Sequence, residues 1–240
     1  MDSKAFWFTG FPRMMTLRAR LILRFPIGLG VWATLLFVPA GTVHFWQGWT
    51  LLAVWSLTAL LGVGYLYTHD PQLLERRLQR KEKLREQRRI MRWFFIFWLI
   101  AMTAAGLDKR LGWSEKVLVP VPPWLTVLCL ALLVASMCLV FWVMKVNSFA
   151  AATIQVEAEQ PVISSGPYRL VRHPMYLGIV VMELCLAPAL GSFVALPIFA
   201  LLVPPIVFRL MNEETFLRRQ LPGYAEYCLR TRFRLVPFVW

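Results

Sequence analysis

The sequence predicts an all-α integral membrane protein with about six transmembrane helices, five being the other count its apolar runs permit. Three observations carry that prediction. Hydrophobic residues make up 58% of the 240 and charged residues only 16%, whereas a soluble domain carries about 25% charged residues. A chain this size has no interior large enough to hide such a fraction, so much of it must face lipid. The apolar residues also gather into long runs, and the basic residues sort to one side of those runs.

The runs lie at 25–43, 45–67, 93–107, 124–144 and 175–208. The first four run 15 to 23 residues, close to the ~20 that cross a ~30 Å hydrocarbon core as a helix. The third is the shortest. The last is too long for one straight span and holds Pro188 and Gly191-Ser192 near its middle, which predicts a helical hairpin. Of the 26 Lys and Arg, only Lys109, Arg110 and Lys116 fall outside the side that holds both ends of the chain and the 68–92 loop. Positive charge favours the cytoplasm, so both termini are expected there, in a bacterial inner membrane. The formal charge of +13 then reads as topology, with no nucleic-acid partner. The first ~24 residues carry several Arg and no small-residue cleavage site, unlike a removed signal. The basic run 75–92, with Leu73, Leu74, Leu78 and Leu84 around it, reads as a juxtamembrane helix touching anionic lipid headgroups. The division expected is 1–144 for the N-terminal helices with the basic 68–92 loop and 145–240 for a C-terminal unit that holds the hairpin.

Most other signals are weak. Cys129, Cys138, Cys185 and Cys228 form no Cys-x-x-Cys pair and read as apolar packing. His44 and His69 lack metal-ligand spacing, so no metal site is expected. Gly28-x-Gly30-x-x-Ala33 lies in an apolar helix with no strand before it, so helix packing replaces a dinucleotide reading. Glu183 alone stands well inside a span. An intramembrane carboxyl is a functional hypothesis by default, but one acid makes no ion pathway; a structural hydrogen bond and a substrate contact both remain open for it.

Polar chemistry concentrates in two clusters. Gly166-Pro167-Tyr168 is followed by Arg172-His173-Pro174-Met175-Tyr176-Leu177-Gly178, where Pro174 suits the first turn of a helix. Arg209 and Glu213-Glu214 close the last apolar run, and Gly223-Tyr224 with Tyr227 follow. A hairpin over 175–208 brings the two clusters to one membrane surface. Their aromatic faces, imidazole, guanidiniums and adjacent carboxylates suit an adenosyl cofactor with a carboxylate tail and a positive sulfur. A helix cap with headgroup contacts and a solvated helix end would use the same residues, and spacing alone does not separate the readings.

The combination Gly166-Pro167-Tyr168, Arg172-His173-Pro174-Met175-Tyr176-Leu177-Gly178, Glu213-Glu214 and Tyr224…Tyr227 resembles the isoprenylcysteine carboxyl methyltransferase family over residues 145–238. Phospholipid N-methyltransferases share a similar core. Asp70-Pro71 with Glu75-Arg76 extends the likeness weakly upstream, toward bacterial members. The resemblance implies S-adenosylmethionine as cofactor and a lipophilic methyl acceptor entering from the bilayer. It implies that Gly166, Tyr168, His173, Pro174, Tyr176, Gly178, Glu213 and Glu214 bind the cofactor, and that Arg172 and Arg209 act catalytically by holding an anionic acceptor against the methyl group. Isoprenylcysteine-like carboxyl methylation is the first expectation. N- or S-methylation of a phospholipid or other small molecule is the second, and a non-catalytic membrane carrier or assembly protein of the same fold the third.

Overall fold

A computed structural model of the chain describes residues 16–78, 85–150, 156 and 160–240. The leader residues before 16, and Lys83 and Leu84 in the basic run, lie outside the described residues. The described part is helical with no strand in it. Helix α1 runs Leu17–Ala40, where the Thr16 hydroxyl accepts from the Ala19 amide and Gly41 stops the helix at φ 64°. Helix α2 follows at Trp46–His69. The Asp70 carboxylate accepts from the Leu73 amide at 2.9 Å and starts a short α3, Pro71–Leu78. Helix α4 is Arg85–Leu111, α5 Trp113–Val117 and α6 Pro123–Val146. A 3-10 turn at Gly166–Arg169 leads to α7, Pro174–Ala189. Short α8, Leu196–Ala200, and α9, Val203–Gln220, return across the bundle, and α10 is Tyr224–Arg230.

Five of the described segments are long and apolar enough to span a membrane: Leu17–Ala40, Trp46–His69, Gln87–Leu111, Pro123–Val146 and Leu196–Gln220. Large side chains such as Ile22, Val38, Leu61 and Val127 remain more than half exposed along them, which in this setting is lipid-facing surface. The molecule is an integral membrane protein. The predicted hairpin is present, turning at Gly191 with φ 73°, but its first arm, α7, has 16 residues. That rises about 24 Å, short of a ~30 Å core. The sixth traverse is therefore a shorter apolar helix, begun by Pro174 and closed just after Pro188. The third run, short as an apolar stretch, becomes a 27-residue helix, because an α-helix satisfies its backbone internally and continues into polar sequence until Gly112 ends it at φ 65°.

Two close contacts set the bundle. A Cβ on Gly106 would stand 2.6 Å from the Leu36 carbonyl oxygen, so α4 presses backbone to backbone on α1. A Cβ on Gly178 would stand 2.9 Å from Val140 Cγ2 and 3.2 Å from the Ser136 carbonyl oxygen, so α7 lies against α6. Between them the core gathers Phe45, Met102, Leu133, Leu190 and Phe199, all buried. At the end away from most of the basic residues, Asp108 pairs with the Ser114 hydroxyl. The Ser114 oxygen then accepts from the Phe193 and Val194 amides at 2.9 and 3.2 Å, pinning the hairpin turn. Gly28 and Gly30 have nothing within 4 Å of where a Cβ would sit; they lie on the outer face of α1, so the helix-packing expectation is not met among the described residues. His69 stacks on Tyr65 with ring centroids 4.1 Å apart, and all four cysteines are free thiols.

Candidate functional site

The hairpin does bring the two polar clusters together. Helices α7 and α9 run antiparallel, and their register is fixed at the basic end by the Tyr176 hydroxyl, which donates to Glu213 at 2.5 Å. The Arg172 and His173 amides donate to the Phe233 and Arg234 carbonyls, both at 2.9 Å. The C-terminal tail thus satisfies the backbone just ahead of α7, where Pro174 needs no partner. Helix α10 is tied to the same corner, because the Tyr227 hydroxyl donates to the Tyr168 carbonyl at 2.8 Å.

Glu214 is the electrostatic hub, only 4% exposed. Its Oε1 accepts two bonds from Arg218, at 2.8 and 3.2 Å. Its Oε2 lies 3.2 Å from Arg234 Nε, 3.3 Å from His173 Nε2 and 3.5 Å from Arg172 Nε. A carboxylate so placed only accepts, which puts the His173 proton on Nε2. Burying one carboxylate among several donors is favourable only when its lone pairs are all engaged, and here they are. Arg209 is held differently: its Nη1 donates at 3.1 Å to the Gln87 side-chain oxygen, and Gln87 is 1% exposed.

A cavity of about 510 Å³ opens between these groups, within the range of small-molecule sites. Its outer end is walled by Gln160, Tyr168, Leu217, Leu221, Tyr224 and Tyr227. Its middle carries Arg172, His173, Tyr176, Arg209 and Glu213, with Arg77 reaching in from α3. Its inner end is walled by Trp55, Phe94, Ile179, Met182, Glu183 and Ile206. Met91, near the basic start of α4, also lines the cavity and is 42% exposed. Burial pushes the Tyr168 phenol up to about 12, against the opposing effect of a hydrogen bond from Asn147. Burial likewise raises the phenols of Tyr224 and Tyr227. All three are neutral at physiological pH and present aromatic faces and hydroxyls, not charge.

Of the residues singled out by sequence, Tyr168, Arg172, His173, Pro174, Tyr176, Arg209 and Glu213 line this cavity. Three stand elsewhere. Gly178 faces α6, and a Cβ on Gly166 (φ 57°) would meet Val146 at 3.0 Å and Trp142 at 3.5 Å. Both glycines serve the packing that holds the wall. Glu214 sits behind Arg172 and His173, orienting them. Sequence reasoning passed over Gln87, Arg77, Asn147, Arg218 and Arg234. Arg218 follows Glu214 by one helical turn and was legible as an i,i+4 pair. Gln87 lies in a basic run where nothing marks it as buried. Among the described residues no group of His, Cys, Asp and Glu could hold a metal ion.

An adenosyl cofactor fits the donor set at the outer and middle parts. The Tyr224 hydroxyl is buried with no hydrogen-bond partner among the described residues, and it lines the cavity beside the Tyr227 ring, centroids 5.6 Å apart. Arg172 Nε makes no hydrogen bond there, only the 3.5 Å ion pair with Glu214, while the residue lines the cavity. These groups match a planar base, ribose hydroxyls and a carboxylate.

Comparison with known proteins places the same segment. The model of the Isoprenylcysteine carboxyl methyltransferase (ICMT) family matches residues 127–219, from within α6 to the end of α9. A curated relative, the Delta(14)-sterol reductase TM7SF2 of Mus musculus, is 32% identical over 91 residues. That stretch is 37% of this chain and 22% of the mouse protein, so the chain spans about a fifth of that relative's length.

Proposed function

We propose that this membrane protein is an S-adenosylmethionine-dependent methyltransferase whose acceptor is lipophilic, with an isoprenylcysteine-like carboxylate as the first candidate. One observation carries the reading: one cavity is lined by cationic and aromatic side chains such as Arg172, Arg209, Tyr168 and Tyr224 and also by apolar ones of the spanning helices such as Phe94, Ile179 and Met182. A water-soluble cofactor and a membrane-partitioned acceptor can enter such a cavity from opposite ends. The family of residues 127–219 supports methyl transfer.

The cofactor, when bound, supplies an electrophilic methyl group on a sulfonium. The chain's own residues would then position and desolvate. Tyr168, Tyr224 and Tyr227 offer stacking faces and hydroxyls at the outer end. Arg172, oriented by Glu214, and Arg209, oriented by Gln87, hold carboxylates in forked geometry. The Tyr176–Glu213 pair sets a fixed negative charge against the place where positive charge resides. Water exclusion by Phe94, Ile179 and Met182 strengthens each of these attractions. In-line displacement at a methyl group needs chiefly such positioning, and an ionised carboxylate acceptor needs no base.

The basic end is taken to face the cytoplasm, because among the described Lys and Arg only Lys109, Arg110 and Lys116 stand at the other end. Residues 145–240 are proposed as the catalytic unit and 1–144 as the helices that enclose its bilayer end.

The likeness to a reductase favours one second reading, reduction of a lipid double bond by a hydride donor in the same cavity. Calorimetric titration of the purified protein with S-adenosylmethionine, S-adenosylhomocysteine and NADPH separates them. The methyltransferase reading expects saturable binding of the two adenosyl compounds near one per chain, and a loss of about 10-fold or more in affinity in Arg172→Ala. Binding of NADPH alone would replace it with the second.

A further inference from the structure

The inner end of the cavity contains one polar group that the proposed methyl transfer does not use. Glu183 is 7% exposed, and its Oε2 is buried with no hydrogen-bond partner among the described residues. It lines the cavity from α7, as do Met182 of the same helix and the apolar residues Trp55 of α2 and Ile206 of α9. Seven residues separate it from Tyr176, two helical turns on one face, which sets the carboxyl about 10 Å further into the bilayer end. Ile206 stands at the matching place on α9, seven residues before Glu213, so the depth is the same from either wall.

A carboxyl group left unsatisfied in an apolar wall is costly. A cavity meant only for hydrocarbon would be lined more favourably by Leu or Met at this position. We propose that Glu183 is a recognition site for a hydrogen-bond-donating group of the lipid ligand, a hydroxyl or an ammonium, carried about 10 Å inward from the end that meets Arg172 and Tyr176. The acceptor is thereby narrowed to an amphiphile with two polar points, a reacting end and an internal donor, in place of a plain hydrocarbon chain. This deepens the proposed function and rests on it for the assignment of the inner end to the acceptor.

The test reads occupancy and leaves methyl transfer aside. The full chain is placed in phosphatidylcholine nanodiscs and treated with dicyclohexylcarbodiimide, a membrane-soluble reagent for buried carboxyl groups. Adduct formation on the Glu183 peptide is followed by mass spectrometry. The reaction is repeated with hexadecan-1-ol and with 1-methoxyhexadecane, which has the same hexadecyl chain and no donor. The expected result is labelling of Glu183, its disappearance in Glu183→Gln, and a rate slowed roughly 5-fold or more by the alcohol but not by the ether. An unlabelled Glu183, or equal protection by alcohol and ether, overturns the proposal. If Glu183→Gln fails to fold, the wild-type comparison of the two probes still decides. S-adenosylmethionine titrated into the same nanodiscs keeps the two ideas apart: donor-specific protection without cofactor binding would contradict the methyltransferase reading and leave Glu183 recognition standing.

Discussion

Glu214 holds four cationic or imidazole side chains yet does not itself line the cavity, so its loss should act through its partners. Replacing it by Gln leaves Arg172 and Arg234 facing a neutral amide in a buried setting, a change that costs about 3–5 kcal/mol when one partner of a buried pair is removed. The expected outcome is a clearly lower melting temperature in detergent together with weakened S-adenosylhomocysteine binding; unchanged values for both would remove Glu214 as the hub. Tyr176→Phe deletes the hydroxyl's bond to Glu213 and its interaction with Arg209, and is expected to keep the fold while lowering affinity several-fold, about 1 kcal/mol, in the same titration. The phenols give a pH prediction. Tyr168 ionises at about 12 in the folded chain and near 10 when unfolded, so its stabilising contribution is complete below ~10 and is lost as pH rises toward 12. Thermal melts from pH 9 to 12 should fall with pH, and Tyr168→Phe should flatten that slope.

At the scale of elements, the close approach of α4 to α1 rests on Gly106. Gly106→Val would drive a side chain into the Leu36 carbonyl, 2.6 Å from the first added carbon. A loss of about 1–3 kcal/mol should appear as a lower midpoint of thermal unfolding, and an unchanged midpoint would mean the helices do not meet there. Much of this layer was legible in the sequence. Hydropathy located the membrane crossings, Pro174 marked a helix start and Gly191 a hairpin turn, since each of these residues leaves the backbone few alternatives. The extent of α4 was not legible, because helix continuation into polar sequence depends on what packs around it. Nor was the shortness of α7, which only the placement of its turn reveals. The cavity residues on α7 and α9 could be read because they cluster near the ends of the predicted hairpin. Gln87 and Arg77 could not: they reach the site only through tertiary packing of α3 and α4.

For the whole molecule, the distribution of charge and the two-ended cavity make one picture. The proposed orientation predicts that a cysteine placed at Lys116 reacts with an impermeant maleimide from outside intact cells, while one at Arg169 reacts only after lysis. The reverse pattern would put the cofactor end on the wrong side of the membrane. The central claim is that the outer and middle parts of this cavity hold S-adenosylmethionine. Ultraviolet cross-linking of the methyl-tritiated cofactor to the purified chain, followed by peptide mapping, tests it most directly. The account predicts saturable label, competed by S-adenosylhomocysteine, on peptides that contain Tyr168, Tyr176 or Tyr224. Label that does not saturate, or that maps away from the cavity, would contradict it.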